Sequence, residues 1–190
     1  MNLPNKLTLS RFALTAVFLV IFCSGIKYSN SLALVVFVAA SLTDYFDGMI
    51  ARRDKLVTSF GVLMDPLADK ILTCSAFIAF VEEKKIAAWI VVVIVARELA
   101  ITGLRLLAAN RQVVLAAERY GKHKTISQIV AIITILVALS YREWGSFGET
   151  LFRAWIGYLE AAAIYVAVAL TAASGLFYLW RNRNLYLNEL

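Results

Sequence analysis

Apolar runs of about 18 to 25 residues recur along this chain, and that length constrains its fold more than any other feature. A helix needs about 20 such residues to cross the hydrocarbon core of a bilayer. Six stretches can be drawn, at about 10–26, 31–52, 59–81, 86–108, 125–141 and 154–180. Charged residues make up 17% of the 190, against about 25% in an ordinary soluble domain. Inside lipid every backbone polar group must be satisfied within the structure, which helices achieve segment by segment. The sequence therefore predicts an all-α, polytopic membrane protein, a bundle of six transmembrane helices. No repeat or low-complexity tract interrupts it, so residues 1–190 are expected to form one domain embedded in membrane lipids.

The net charge of +6 fits the positive-inside rule better than a nucleic-acid partner, and none is expected. With the N-terminus in the cytoplasm, that side collects Lys6, Arg11, Arg52, Arg53, Lys55, Arg97, Arg105, Arg111, Arg119, Lys122, Lys124, Arg181 and Arg183. The other side keeps Lys27, Lys84, Lys85, Arg142 and Arg153, with Lys70 inside a span. Both termini are thus predicted to be cytoplasmic, in a multi-pass protein of the cell (inner) membrane. The opening "MNLPNKLTLSR" is polar for longer than a signal-peptide n-region, and no small-residue cleavage site stands out after the first apolar run, so that run is expected to be retained. Cys23 and Cys74 lie in apolar segments far apart and read as small hydrophobes.

Against this oily background stands "TDYFDGMIARRDKLVTSFGVLMDPLADK", Thr43 to Lys70. It carries Asp44 and Asp47, three apart, and Asp65 and Asp69, four apart. On helices each pair shares a face, and two packed helices can bring the pairs together. Uncompensated, four converging carboxylates would repel and be driven to protonate. Oxygen-only ligands suit Mg²⁺, Mn²⁺ or Ca²⁺ rather than zinc, and four carboxylates suffice for two ions sharing ligands. Paired divalent ions are a means of handling phosphate oxygens in displacement chemistry. Gly48 and Ala51 remove bulk beside the acidic face, Gly61 permits close approach of a helix or ligand, and Arg52 is placed to meet a phosphate. Pro66 biases Asp65 away from α geometry, which predicts a kink or a helix start there. From these residues alone, a cation pathway and a metal-dependent transferase both remain open.

The pattern D-x2-D-G-x2-A-R-x8-G-x3-D-x3-D is met without departure by Asp44, Asp47, Gly48, Ala51, Arg52, Gly61, Asp65 and Asp69. It resembles the signature of the CDP-alcohol phosphotransferases, whose six-span layout agrees with the one drawn here. The segments "NLPNKLTLSR", "ARELAITGLR" and "GKHKT" further resemble the bacterial phosphatidylglycerophosphate synthases of that family. The resemblance implies transfer of a phosphatidyl group from CDP-diacylglycerol to sn-glycerol 3-phosphate, with release of CMP. It implies that Asp44, Asp47, Asp65 and Asp69 hold two Mg²⁺ or Mn²⁺ ions and that Asp69 is the general base. It implies that Gly48, Arg52 and Thr58 contact the CDP part of the donor, with Ala51 and Gly61 in the same donor site. A homodimer is implied as well. Serine, inositol phosphate or phosphatidylglycerol are the rival acceptors within the family.

Two substrates bring about four negative phosphate charges at neutral pH, and basic residues must meet them. Candidates for the acceptor phosphate are Arg97 and Arg105, eight residues and about 80° apart on a helix, and Lys122 and Lys124. Asn5, Thr8 and Arg11 are candidates for lining the site. His123, the one histidine, reads as a passive loop residue. Glu98 and Glu160 fall in apolar spans, so each is expected to have a partner. Trp89, Trp144, Trp155 and Trp180 occupy expected interfacial positions.

Overall fold

In the computed structural model, residues 3–54, 59–110 and 120–183 are described, with side chains over 9–43, 70–109 and 123–183. The first helix, α1 (Leu3–Cys23), begins well before its apolar run. Pro4 stands in its opening turn, where a missing N–H leaves no intrahelical bond unmade. A turn with Gly25 at φ +62° leads into α2 (Ser29–Asp54). The third helix, α3 (Ser59–Glu82), runs unbroken through Pro66. The expected helix start at Asp65 is not found, since the helix is already established from Ser59 and one absent N–H does not end it. There follow α4 (Ala88–Asn110), α5 (Tyr120–Ser140), a tight 3-10 turn (Tyr141–Trp144), the short α6 (Gly145–Phe152) and α7 (Ile156–Arg181). No strand occurs among the described residues. The six long helices overlie the six apolar stretches, and α6 is an addition the sequence reading did not foresee.

The α1 helix lies against α2 and α3, α2 also against α5, and α7 bridges α4 and α5. Phe18, Phe37, Phe77 and Phe80 fill the centre together with Ile94, Ile132, Ile135 and Leu136. Phe22 meets Phe80 edge-on, with ring centroids 5.6 Å apart. Ala33, Ala76, Ala131 and Ala167 are wholly buried, the small residues that let helices approach closely.

Large apolar side chains face outward along the bundle: Val20, Phe147 and Leu176 are each 70% exposed and Tyr158 82%. Among the described residues, two helical runs are long and apolar enough to cross a membrane, His123–Phe152 and Ile156–Arg181.

One end of the bundle is tied by Glu143. Its carboxylate accepts from the backbone N–H of Asn30 at 3.2 Å and of Ser31 at 2.9 Å, and from Asn30 Nδ2 at 2.9 Å. These are orphan donors of the first turn of α2. The opposite end gathers the close of α2, the start of α3, the close of α4, the start of α5 and the close of α7, and there the candidate site lies.

Candidate active site

Helical backbone at Asp44 and Asp47 in α2, and at Asp65 and Asp69 in α3, puts each acidic pair on one helical face. Such a set, oxygen ligands only and supplied in pairs by consecutive helices, fits a hard divalent cation. Gly48, Ala51 and Arg52 are in α2, Gly61 in α3, Asn5 and Thr8 in α1, and Lys122 in α5. The side chains of all these residues, and Thr58 entirely, lie outside the described residues. Among the described residues no group of three or more His, Cys, Asp or Glu gathers.

The described part of this end is organised by Glu98 of α4. Its side chain is 3% exposed. Oε1 accepts from Lys124 Nζ of α5, from Gln128 Nε2 at 3.4 Å and from Arg97 Nη1 at 3.5 Å. Oε2 lies 3.6 Å from Nζ of Lys70, the residue after Asp69 in α3. Lys70 also donates to Thr102 Oγ1 and, at 3.3 Å, to the backbone carbonyl of Glu98. Thr102 Oγ1 in turn donates to that carbonyl at 2.7 Å. Gln128 donates onward to Thr171 Oγ1 of α7 at 3.0 Å. Side chains of α3, α4 and α5 thus meet at one carboxylate, and α7 is joined to them through Gln128.

The sequence predicted a partner for Glu98; the structure supplies Arg97 and Lys124, both of them candidates for the acceptor phosphate, together with two residues that reading missed. Lys70 and Gln128 carried a signal nonetheless. A lysine inside an apolar span requires a buried acceptor, and Glu98 is the carboxylate at the matching depth of the next helix. Gln128 lies four residues after Lys124, on the same face of α5.

Arg97 extends from the cluster to α7. Its Nη2 donates to Ser174 Oγ at 3.3 Å, and its Nε is buried with no hydrogen-bond partner among the described residues. Its stem crosses α7 at Gly175, where an added Cβ would stand 2.6 Å from Arg97 Cγ. Arg105, one face further along α4 and solvent-exposed, donates from Nε to Tyr178 Oη at 3.4 Å. Ser174 and Tyr178 are four apart, so both arginines meet one face of α7, as their spacing on α4 permits. Arg11 is half-buried on α1, and His123 is exposed.

Three cations, Lys70, Arg97 and Lys124, therefore surround a single carboxylate. Among the described residues this cluster has more cations than carboxylates. Glu160 takes its partner at the other end, where Lys85 approaches to 3.6 Å across a cleft of about 360 Å³ between α7 and the turn before α4.

The CDP-alcohol phosphatidyltransferase family model matches residues 1–177. The chain belongs to this family. It is 38% identical to the CDP-diacylglycerol--glycerol-3-phosphate 3-phosphatidyltransferase of Bacillus subtilis, over 95% of each chain. It is 33% identical to the enzyme of the same name from Rickettsia typhi, over 93% of this chain and 94% of that one. A probable phosphatidylglycerophosphate synthase of Mycobacterium tuberculosis is 38% identical over 95% of this chain and 81% of its own length. The part of the chain matched to the CDP-alcohol phosphatidyltransferases takes in all four aspartates and the whole Glu98 cluster, including its contacts on α7 at Thr171 and Ser174.

Proposed function

We propose that this protein transfers the phosphatidyl group of CDP-diacylglycerol to sn-glycerol 3-phosphate, giving phosphatidylglycerophosphate and CMP. The names of its relatives support the substrates. The observation that carries the reading is the excess of positive charge around Glu98 among the described residues, reached from α3 through the residue that follows Asp69. An acceptor that itself carries a phosphate suits that excess; serine does not.

In this reading Asp44, Asp47, Asp65 and Asp69 hold two divalent ions, Mg²⁺ or Mn²⁺, which when bound neutralise the donor pyrophosphate and draw charge from its β-phosphorus. Asp69 accepts the proton of the acceptor's 1-hydroxyl. That oxygen forms the new bond to the β-phosphorus as the bond from β-phosphorus to the CMP oxygen breaks. Arg52 meets the departing charge, and Gly48, Ala51, Thr58 and Gly61 leave room for and contact the cytidine nucleotide. Arg97, Arg105, Lys122 and Lys124 face the acceptor phosphate, with Asn5, Thr8 and Arg11 lining the site. A positioned base contributes about 10² to 10⁴ in rate; the rest comes from positioning and charge stabilisation.

The apolar exterior and the Lys and Arg distribution support six membrane-crossing helices with both termini in the cytoplasm, in a single domain of the inner membrane; the homodimer rests on the family resemblance alone. The reaction then takes its soluble substrate from the cytoplasm. The deciding experiment is CMP release by the purified protein from CDP-diacylglycerol with a panel of acceptors. Release is expected with glycerol 3-phosphate, abolished by EDTA and restored by Mn²⁺ or Mg²⁺. Release that does not depend on glycerol 3-phosphate would overturn the proposal, and a preference for inositol phosphate, serine or phosphatidylglycerol would reassign the acceptor.

A further inference from the structure

Among the described residues, the Glu98 cluster contains one carboxylate for three cations, and all three approach that carboxylate. Lys70 comes from α3, Arg97 from α4 and Lys124 from α5. Lys124 is 5% exposed, so its ammonium depends on protein partners. Left to themselves, three like charges would separate and turn toward solvent or lipid headgroups, as long basic side chains do when nothing holds them. Glu98 prevents this by accepting from Lys124, Arg97 and Gln128 through one oxygen while standing 3.6 Å from Lys70 through the other. Gln128 fixes the carboxylate in turn, since its amide is also bonded to Thr171 of α7 at 3.0 Å.

From this geometry we infer that Glu98 is a positioning residue for the acceptor: it draws basic side chains from three helices to one point, where they receive the acceptor's phosphate. This rests on the reading of the acceptor given above. A pair serving only packing would be charge-balanced, whereas among the described residues two positive charges remain over. Those two are what a phosphate dianion cancels. Glu98 itself need not touch the substrate, and the donor's nucleotide, assigned to α2 and the start of α3, is not its concern.

Steady-state kinetics on the full-length protein in lipid-detergent micelles test this, with each substrate varied in turn. Glu98→Gln keeps the volume and loses the charge; Glu98→Asp keeps the charge and loses reach. Glu98→Gln is expected to raise the KM for glycerol 3-phosphate about tenfold or more, the loss of a charged hydrogen-bond hub. Its KM for CDP-diacylglycerol should stay within about twofold. Glu98→Asp should be the milder of the two. A purely structural glutamate would reverse that order, because glutamine fills the space better, and would move both KM values with thermal stability. Either result overturns the inference, as does an unchanged or lowered acceptor KM. Should Glu98→Gln not fold, Gln128→Leu, which removes the amide steadying Glu98, must raise the acceptor KM selectively; if it does not, the inference fails. A wild-type protein that ignores glycerol 3-phosphate would instead remove the functional reading on which this rests.

Discussion

Lys70 follows Asp69 directly, so one turn of α3 supplies both a carboxylate of the acidic signature and a cation of the Glu98 cluster. The two sites are thereby tied through a single helix, and their residues can be tested separately. Asp69→Asn is expected to lower the rate of CMP formation by about 10² to 10⁴ while the thermal melt stays near that of the wild type. A near-normal rate would remove Asp69 from the role of base. Gly175→Ala probes the other side. Its Cβ would come within 2.6 Å of Arg97 Cγ, and overpacking of this kind costs about 1–3 kcal/mol. Because the atom in the way belongs to a flexible side chain, the expected relief is movement of Arg97. The variant should therefore fold, with a raised KM for glycerol 3-phosphate in the same assay. At this scale the acidic signature is read from residue spacing alone, and the helical backbone at all four aspartates agrees with that spacing. The partners of Glu98 were not legible in the sequence. They come from three helices whose rotation about their own axes is set by packing, and a chain this apolar on all faces gives no stripe from which to read it.

Helix extents were legible from hydrophobic length, and their ends were less so. The α1 helix reaches back to Leu3 through a polar segment that a hydropathy reading excludes, and α3 passes Pro66 without ending. The short α6 was missed because eight residues are too few for periodicity to register. Its packing depends on Gly148, where a Cβ would fall 2.0 Å from the carbonyl oxygen of Tyr141. The preceding turn also presents Glu143 to the start of α2. A carboxylate there satisfies two first-turn N–H groups and complements the positive end of the helix dipole. Glu143→Ala is expected to cost about 1–2 kcal/mol, seen as a lower melting temperature. The kinetic constants measured well below that temperature should be unchanged, since α2 holds its acidic pair at the far end. A fall in turnover without a fall in melting temperature would mean that Glu143 acts otherwise than as a cap.

For the molecule as a whole, the six apolar stretches and the six long helices agree, and the exposed valines, leucines and aromatics leave lipid as the medium that best covers them. What length and hydropathy do not give is direction. That comes from charge, and the fold sharpens the consequence. The helix ends that carry the acidic signature, the Glu98 cluster, the start of α1 at Leu3 and the close of α7 at Arg181 are assigned to the same end of the bundle, so one measurement orients them together. With Cys23 and Cys74 replaced by serine, single cysteines can be introduced by Glu83→Cys, in the turn between α3 and α4, and by Arg183→Cys, just after α7. Both positions are exposed. Lys and Arg are concentrated at the signature end, and the orientation proposed above from the positive-inside rule has that end facing the cytoplasm. Glu83→Cys should therefore react with a membrane-impermeant maleimide on intact cells, and Arg183→Cys only after the membrane is opened. The reverse pattern would turn the site outward, away from a cytoplasmic supply of a phosphorylated acceptor. Labelling of both on intact cells would mean that the helices between them do not carry the chain across the membrane as their lengths suggest.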